Sequence, residues 1–256
     1  MSVFVPYCGL PPVPGSESWN FAPTLIGGLA AAGALLLVHA ARNPKATRFE
    51  RLSLAAGWLT LALAFVTPLC NLSVALFSAR ATQHIVLTLI AAPLIAQGLI
   101  ERETRFVAWA SSGSIFVAAA AFAAVFWFWH SPLAYDETLR DNAVYWLMHV
   151  SILGAALALW IAILRVGGLA AFVVVSLTGV QMSLLGAVLT FARAPLYAVH
   201  EFTTAPWGLT WLQDQELGGL IMWVPAGLLL TLYSSVALGV WLGRMDAADR
   251  VRLKSA

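Results

Sequence analysis

Charge is what this sequence has least of. Only 10% of its 256 residues are Asp, Glu, Lys or Arg, while 61% are hydrophobic. Soluble domains carry about 25% charged residues. A soluble fold of this length has too little interior to hide so much apolar surface, so the expected solvent is lipid. The net charge of +2 is spread along the chain with no basic run, which speaks against a nucleic-acid partner. Cysteine is nearly missing: Cys8 and Cys70 exclude a disulfide framework and leave room for one bridge. Also missing are a nucleophile–base pair at a familiar spacing, a Gly-rich phosphate loop and a metalloprotease helix, so the chain reads as a non-enzyme. Residues 1–20 hold no Lys or Arg and no apolar core, so they read as an extended Pro-rich arm and not as a signal peptide.

What the chain has in quantity is long apolar runs. A bilayer core of ~30 Å asks for ~20 apolar residues in a helix. Seven segments meet this, at 21–41, 52–70, 82–100, 107–129, 144–164, 168–192 and 217–243. The expected fold is therefore an all-α integral membrane protein, a seven-transmembrane-helix bundle. It divides into the arm (1–20), the membrane domain (21–243) and a basic tail (244–256). Eleven cations (Arg42, Lys45, Arg48, Arg51, Arg102, Arg105, Arg165, Arg244, Arg250, Arg252, Lys254) fall on one side of this topology and three (Arg80, Arg140, Arg193) on the other. The positive-inside rule then puts the N-terminus outside and the C-terminus in the cytosol. Pro68, Pro93 and Pro225 fall in or near helices and are expected to kink them. Gly179 and Gly186 recur at helix-packing spacing and allow close approach of a neighbour.

The histidines are unevenly placed. His84 opens the third segment from outside, His130 closes the fourth, and His149 lies ~9 Å into the fifth at 1.5 Å per residue. His200 sits in the long outer loop 193–216, and His39 alone is on the cytosolic side. Ionisable side chains within membrane helices usually face the bundle interior, and imidazole is the commonest metal ligand. His84, His130 and His149 are therefore candidate ligands for Cu or Zn. Cys8, Met148 and Met222 share that side as further candidate ligands, since sulfur favours Cu(I). Asp136 and Asp214 could orient imidazoles from behind. The bland alternatives stand beside these: interfacial histidines, Met as core filling, and Cys8 as ligand, half of a bridge to Cys70, or inert.

The order of these motifs is similar to a known family. Gln83-His84 precedes Ala92-Pro93-Leu94 and Gly98. Trp129-His130-Ser131-Pro132-Leu133 is followed by Tyr135-Asp136. Leu147-Met148-His149 leads to Gly154 and Trp160, and Asp214-Gln215-Glu216-Leu217-Gly218-Gly219 leads to Met222-Trp223-Val224-Pro225. Over about residues 20–243 the chain resembles the CtaG (caa3-type) family of cytochrome c oxidase assembly proteins. The resemblance implies a multi-pass protein of the bacterial cytoplasmic membrane that helps build a haem–copper oxidase. Copper would be held transiently on His84, His130 and His149, with Asp136 and Asp214 in support. Oxidase subunits and a periplasmic copper carrier would be the partners. One departure is Arg80: many family members have a histidine there, four residues before the equivalent of His84. Two other readings stay open, a bis-histidine haem protein for electron transfer and a metal-free oxidase scaffold. A transporter would be expected to show inverted repeats, and none is apparent.

Overall fold

The computed structural model describes residues 5–100 and 112–255. Arg102, Arg105 and the start of the fourth apolar segment lie outside the described residues. All regular structure among the described residues is helical. In chain order the α-helices are α1 (Pro23–Arg42), α2 (Arg48–Val66), α3 (Pro68–Ala75), α4 (Phe77–Ile85), α5 (Ala92–Leu99), α6 (Ser112–Trp129), α7 (Pro132–Glu137), α8 (Asn142–Val166), α9 (Gly168–Thr190), α10 (Trp211–Trp223) and α11 (Pro225–Ser255). A π-helical turn, Val86–Ala91, joins α4 to α5.

Six helical stretches among the described residues are long and apolar enough to cross a membrane: Pro23–Arg42, Arg48–Val66, Phe77–Leu99, Asn142–Val166, Gly168–Thr190 and Trp211–Ala247. A seventh, Gly113–Trp129, is apolar but shorter. Helix α11 continues through the basic tail to Ser255.

Local chemistry sets the helix ends. Thr47 and Glu50 form a reciprocal capping box at the start of α2, and Thr210 with Gln213 does the same for α10. Asp141 caps α8 by accepting from the amides of Ala143 and Val144. Pro68 and Pro132 open short helices, and Pro225 opens α11 where the Trp211–Ala247 stretch is interrupted after Trp223. Position N1 suits proline, whose missing N–H would be unpaired there anyway.

Pro93 acts differently. In an α-helix its N–H would serve the carbonyl of Leu89, and in a π-turn that of Thr88, but proline has no N–H. The chain winds into the π-turn, with Ala92 N–H reaching Leu87 O. The two orphaned carbonyls find side-chain donors instead: Trp160 Nε1 to Thr88 O at 2.8 Å and Tyr233 Oη to Leu89 O at 3.0 Å. A membrane interior offers no water for such groups, so these indole and phenol partners satisfy them. The same bonds lock α8 and α11 onto the segment that carries His84.

Packing places α5, α6 and α9 against α8 and sets α9 beside α10 and α11. Helix α1 lies at the edge on α2, with most of its side chains exposed. That apolar face fits contact with lipid.

Candidate metal site at one end of the bundle

Three helices bring three imidazoles together. His84 on α4 lies between His130, at the end of α6, and His149 on α8. Its ring meets that of His130 edge-to-face at 5.3 Å and that of His149 at 5.5 Å between centroids. All three side chains are buried.

Hydrogen bonding fixes two of the tautomers. His130 Nδ1 is 2.7 Å from Phe126 O, and His149 Nδ1 is 2.9 Å from Tyr145 O. A carbonyl oxygen only accepts, so each Nδ1 carries the proton and donates to the carbonyl four residues back. A neutral imidazole protonated at Nδ1 has a bare lone pair at Nε2. His130 Nε2 has no hydrogen-bond partner. His149 Nε2 faces Gln83 Oε1 at 3.4 Å, and Gln83 is held in that orientation by donating from Nε2 to Ala64 O at 2.8 Å. Neither nitrogen of buried His84 has a partner. Backbone-anchored imidazoles with a free Nε2 are the form in which histidine binds metals.

The resting arrangement is not a finished cage. Among the described residues no group of three or more His, Cys, Asp or Glu side chains is disposed to hold a metal ion.

The other expected participants have partners or positions of their own. Cys8 is joined to Cys70 in a disulfide, so its sulfur is not a thiolate ligand, and the bridge alternative is the one realised. Asp214 does not back an imidazole. Its carboxylate accepts from the amides of Phe77 and Ser78 and from the Ser78 hydroxyl, at 2.6, 3.2 and 2.5 Å, and so caps α4 from a distant helix. Asp136 pairs with Arg140 at 3.7 Å. Met148 and Met222 are fully buried in the hydrophobic core. Gln181 accepts from Trp127 Nε1 at 2.8 Å, tying α9 to α6.

Arg80 also departs from expectation. Its position suggests an exposed loop cation, yet it is fully buried. The reason is α3, a short helix where a loop was expected. Its C-terminal carbonyl Ser73 O accepts from Arg80 Nε and Nη2 at 3.3 and 3.2 Å, and helix C-termini attract cations.

Sequence reasoning also missed the walls of this end. His200 sits apart in sequence, but the structure buries it with Tyr135 Oη 2.8 Å from its Nε2. Burial and, second, the charge of Arg80 lower its pKa to about 3. Tyr197 donates from Oη to His130 O at 2.8 Å, and Trp211 Nε1 donates to Tyr197 O at 2.8 Å. The arm closes the end. Asn71 Nδ2 donates to Cys8 O and Leu10 O at 2.9 and 3.0 Å, and Trp207 Nε1 donates to Pro12 O at 3.1 Å. Tyr7 stacks on Tyr145 at 5.3 Å. One signal was available beforehand. A helical histidine can turn its Nδ1 to the carbonyl at i−4, which His130 and His149 do and His84 does not.

From the side, an apolar cavity of about 220 Å³ between α1, α2 and α8 reaches the cluster, with His149 as the one ionisable side chain of its lining.

Comparison with known proteins agrees with the motif order. The model of the cytochrome c oxidase caa3 assembly factor family (Caa3_CtaG) matches residues 32–244. The chain belongs to that family. The match runs from α1 to the middle of α11 and takes in every residue of the histidine cluster. Comparison with curated proteins and with solved structures gave no match. As a caa3 assembly factor, the protein has cytochrome c oxidase as its kind of partner.

Proposed function

We propose that this assembly factor handles copper for the oxidase, holding Cu(I) transiently on His84, His130 and His149 near the outer face of the bacterial cytoplasmic membrane. The observation that carries this reading is that His130 and His149 give their Nδ1 protons to backbone carbonyls, which leaves the Nε2 of each unprotonated. Both rings lie in contact with a His84 that has no hydrogen-bond partner of its own. Buried polar atoms without partners are costly, and a cation on the lone pairs removes that cost. Because no closed cage exists at rest, capture involves turning the rings, and release involves turning them back. An open coordination position suits hand-over by ligand exchange to an oxidase subunit, after receipt from a periplasmic copper carrier.

The proposed topology has seven spans, counting Gly113–Trp129, with the histidine end outside and the C-terminus in the cytosol. The Cys8–Cys70 bridge at the histidine end supports this orientation, since disulfides persist in oxidising compartments. A bis-histidine haem would need a macrocycle between two rings. His84 and His149 meet edge-to-face at 5.5 Å, which leaves no slot for one.

The test is metal binding by the purified full chain together with oxidase assembly in cells. The protein is expected to bind roughly one copper ion, as three imidazoles provide for a single site. His84→Ala and His149→Ala are expected to abolish that binding and to lower the copper content of the oxidase. Full oxidase activity in either variant would rule out the copper role. It would favour a metal-free scaffold, the reading supported by the lack of a metal-holding group among the described residues.

A further inference from the structure

The imidazoles raise a question of selectivity that their own chemistry does not answer. Neutral histidine suits Zn(II) and Cu(II) as well as Cu(I), and a soft sulfur ligand usually tips the choice toward the monovalent ion. Here Cys8 and Cys70 are bonded to each other. Met148 and Met222 are packed in the core. The three imidazoles themselves supply only nitrogen, so a determinant of valence other than ligand softness has a place here.

Arg80 is that determinant. It sits four residues before His84 on α4, so both project from one helix face. Its guanidinium lies 5.4 Å from the ring centroid of Tyr145 and 5.9 Å from that of Tyr135. The Tyr145 ring is in turn 4.3 Å from that of His149. The side chain is fully buried, and its Nη1 has no partner. Its hydrogen bonds go to the carbonyl of Ser73, and its guanidinium faces the two rings. Among the described residues no carboxylate pairs with it: Asp214 is committed to the amides that start α4, and Asp136 to Arg140. Arginine cannot shed its proton in a protein. The cluster therefore lies beside a permanent positive charge with no ion-pair partner, in a medium where charges are weakly screened.

We propose that Arg80 is a specificity-determining residue that selects a monovalent over a divalent ion at the His84–His130–His149 cluster. Each added unit of charge on the ion meets the same repulsion from the guanidinium, so a divalent ion is penalised twice as heavily as a monovalent one. Arg80 does not bind the metal and sets only the electrostatic cost of entry. The inference rests on the copper reading, because it names the charge of the ion that the same site takes.

The experiment compares Ag(I), a redox-inert stand-in for Cu(I), with Zn(II). Both are titrated into the full-length protein in detergent against a competing chelator, with the disulfide intact. The quantity read is the ratio of the two affinities. Wild-type protein is expected to favour Ag(I). Arg80→Gln, which removes the charge and keeps a polar end, and Arg80→Met, which removes both, are each expected to shift the ratio toward Zn(II) at least ~10-fold. A ratio within one preparation is unaffected by a fraction of misfolded protein. An unchanged ratio in Arg80→Gln or in Arg80→Met, or wild-type affinity for Zn(II) matching that for Ag(I), would each overturn the selectivity role while leaving metal binding in place. Wild-type protein that binds neither ion would overturn the copper reading and this inference together.

Discussion

His200 shows how burial sets the chemistry of a single side chain at this end of the molecule. It is fully buried against Tyr135, and its pKa is lowered from the usual 6.5 to about 3, first by loss of solvation and second by Arg80. A histidine whose folded pKa is depressed stays neutral in the folded protein while the unfolded chain takes up a proton. Its contribution to stability is thus present above pH 6.5 and is lost as pH falls from there toward 3. The loss reaches about 1.4 kcal/mol per pH unit for one proton. Thermal unfolding of the detergent-solubilised protein is expected to show a Tm that falls between pH 7 and pH 5. His200→Gln should flatten that slope by about one proton's worth. Identical slopes in the two proteins would show that His200 is protonated when folded. None of this was legible from position, because a loop histidine reads as solvated until the path of the loop is known. The same holds for Arg80, which counts as a loop cation until α3 places a carbonyl beneath it. His84, His130 and His149 were legible because apolar length fixes depth. Their meeting was not, because helix order around a bundle is not written in spacing.

Between helices, the closest approaches depend on glycine. Gly186 on α9 faces Gly219 on α10. A methyl group on Gly186 would lie 2.8 Å from Gly219 O and 3.0 Å from Trp223 N, and one on Gly219 would lie 2.6 Å from Gly186 O and 2.7 Å from Thr190 N. Backbone atoms cannot move aside as side chains do, so the helices themselves would have to separate. Gly179 occupies the same stripe of α9, but a methyl there would meet Leu230 Cβ at an ordinary 3.5 Å. Small-residue spacing in the sequence marks the stripe and does not say which member of it touches a neighbour. Gly186→Ala and Gly219→Ala are each expected to cost about 1–3 kcal/mol through overpacking, and Gly179→Ala well under 1 kcal/mol. Unfolding in mixed micelles checks the order, and equal losses at all three positions would refute the close-approach account. The crossing matters for the site because α10 also carries Asp214, whose carboxylate fixes the first turn of α4 and hence the direction of His84. A strained α9–α10 contact should therefore weaken metal binding even though it lies outside the cluster.

The chain as a whole couples its topology to its closure. Eleven cations set against three define the proposed orientation, and burial of Arg80 leaves only Arg140 and Arg193 as outer-side cations open to solvent. The disulfide supplies a second line of support from unrelated chemistry. It joins the arm to α3 across a sequence separation of 62 and holds Tyr7 over Tyr145, the residue whose carbonyl anchors His149. If this end faces the periplasm, the bridge forms there and persists. If it faced the cytosol, thiol-keeping systems would leave both cysteines reduced. Trapping thiols with a mass-tagging maleimide, as cells are lysed in denaturant, separates the two cases. The expected result is no tag before reduction and two after it, in step with the two cysteines of the sequence. Two tags without reduction would reverse the proposed orientation and remove the covalent closure of the histidine end. Loss of the bridge should also release the arm, because the remaining ties from Asn71 and Trp207 to its carbonyls are hydrogen bonds worth about 1 kcal/mol each. With Cys8→Ser, protease cleavage within the arm is therefore expected to rise while the helical core stays protected. Unchanged cleavage would mean that the hydrogen bonds and the Tyr7 stack hold the arm without help from the disulfide.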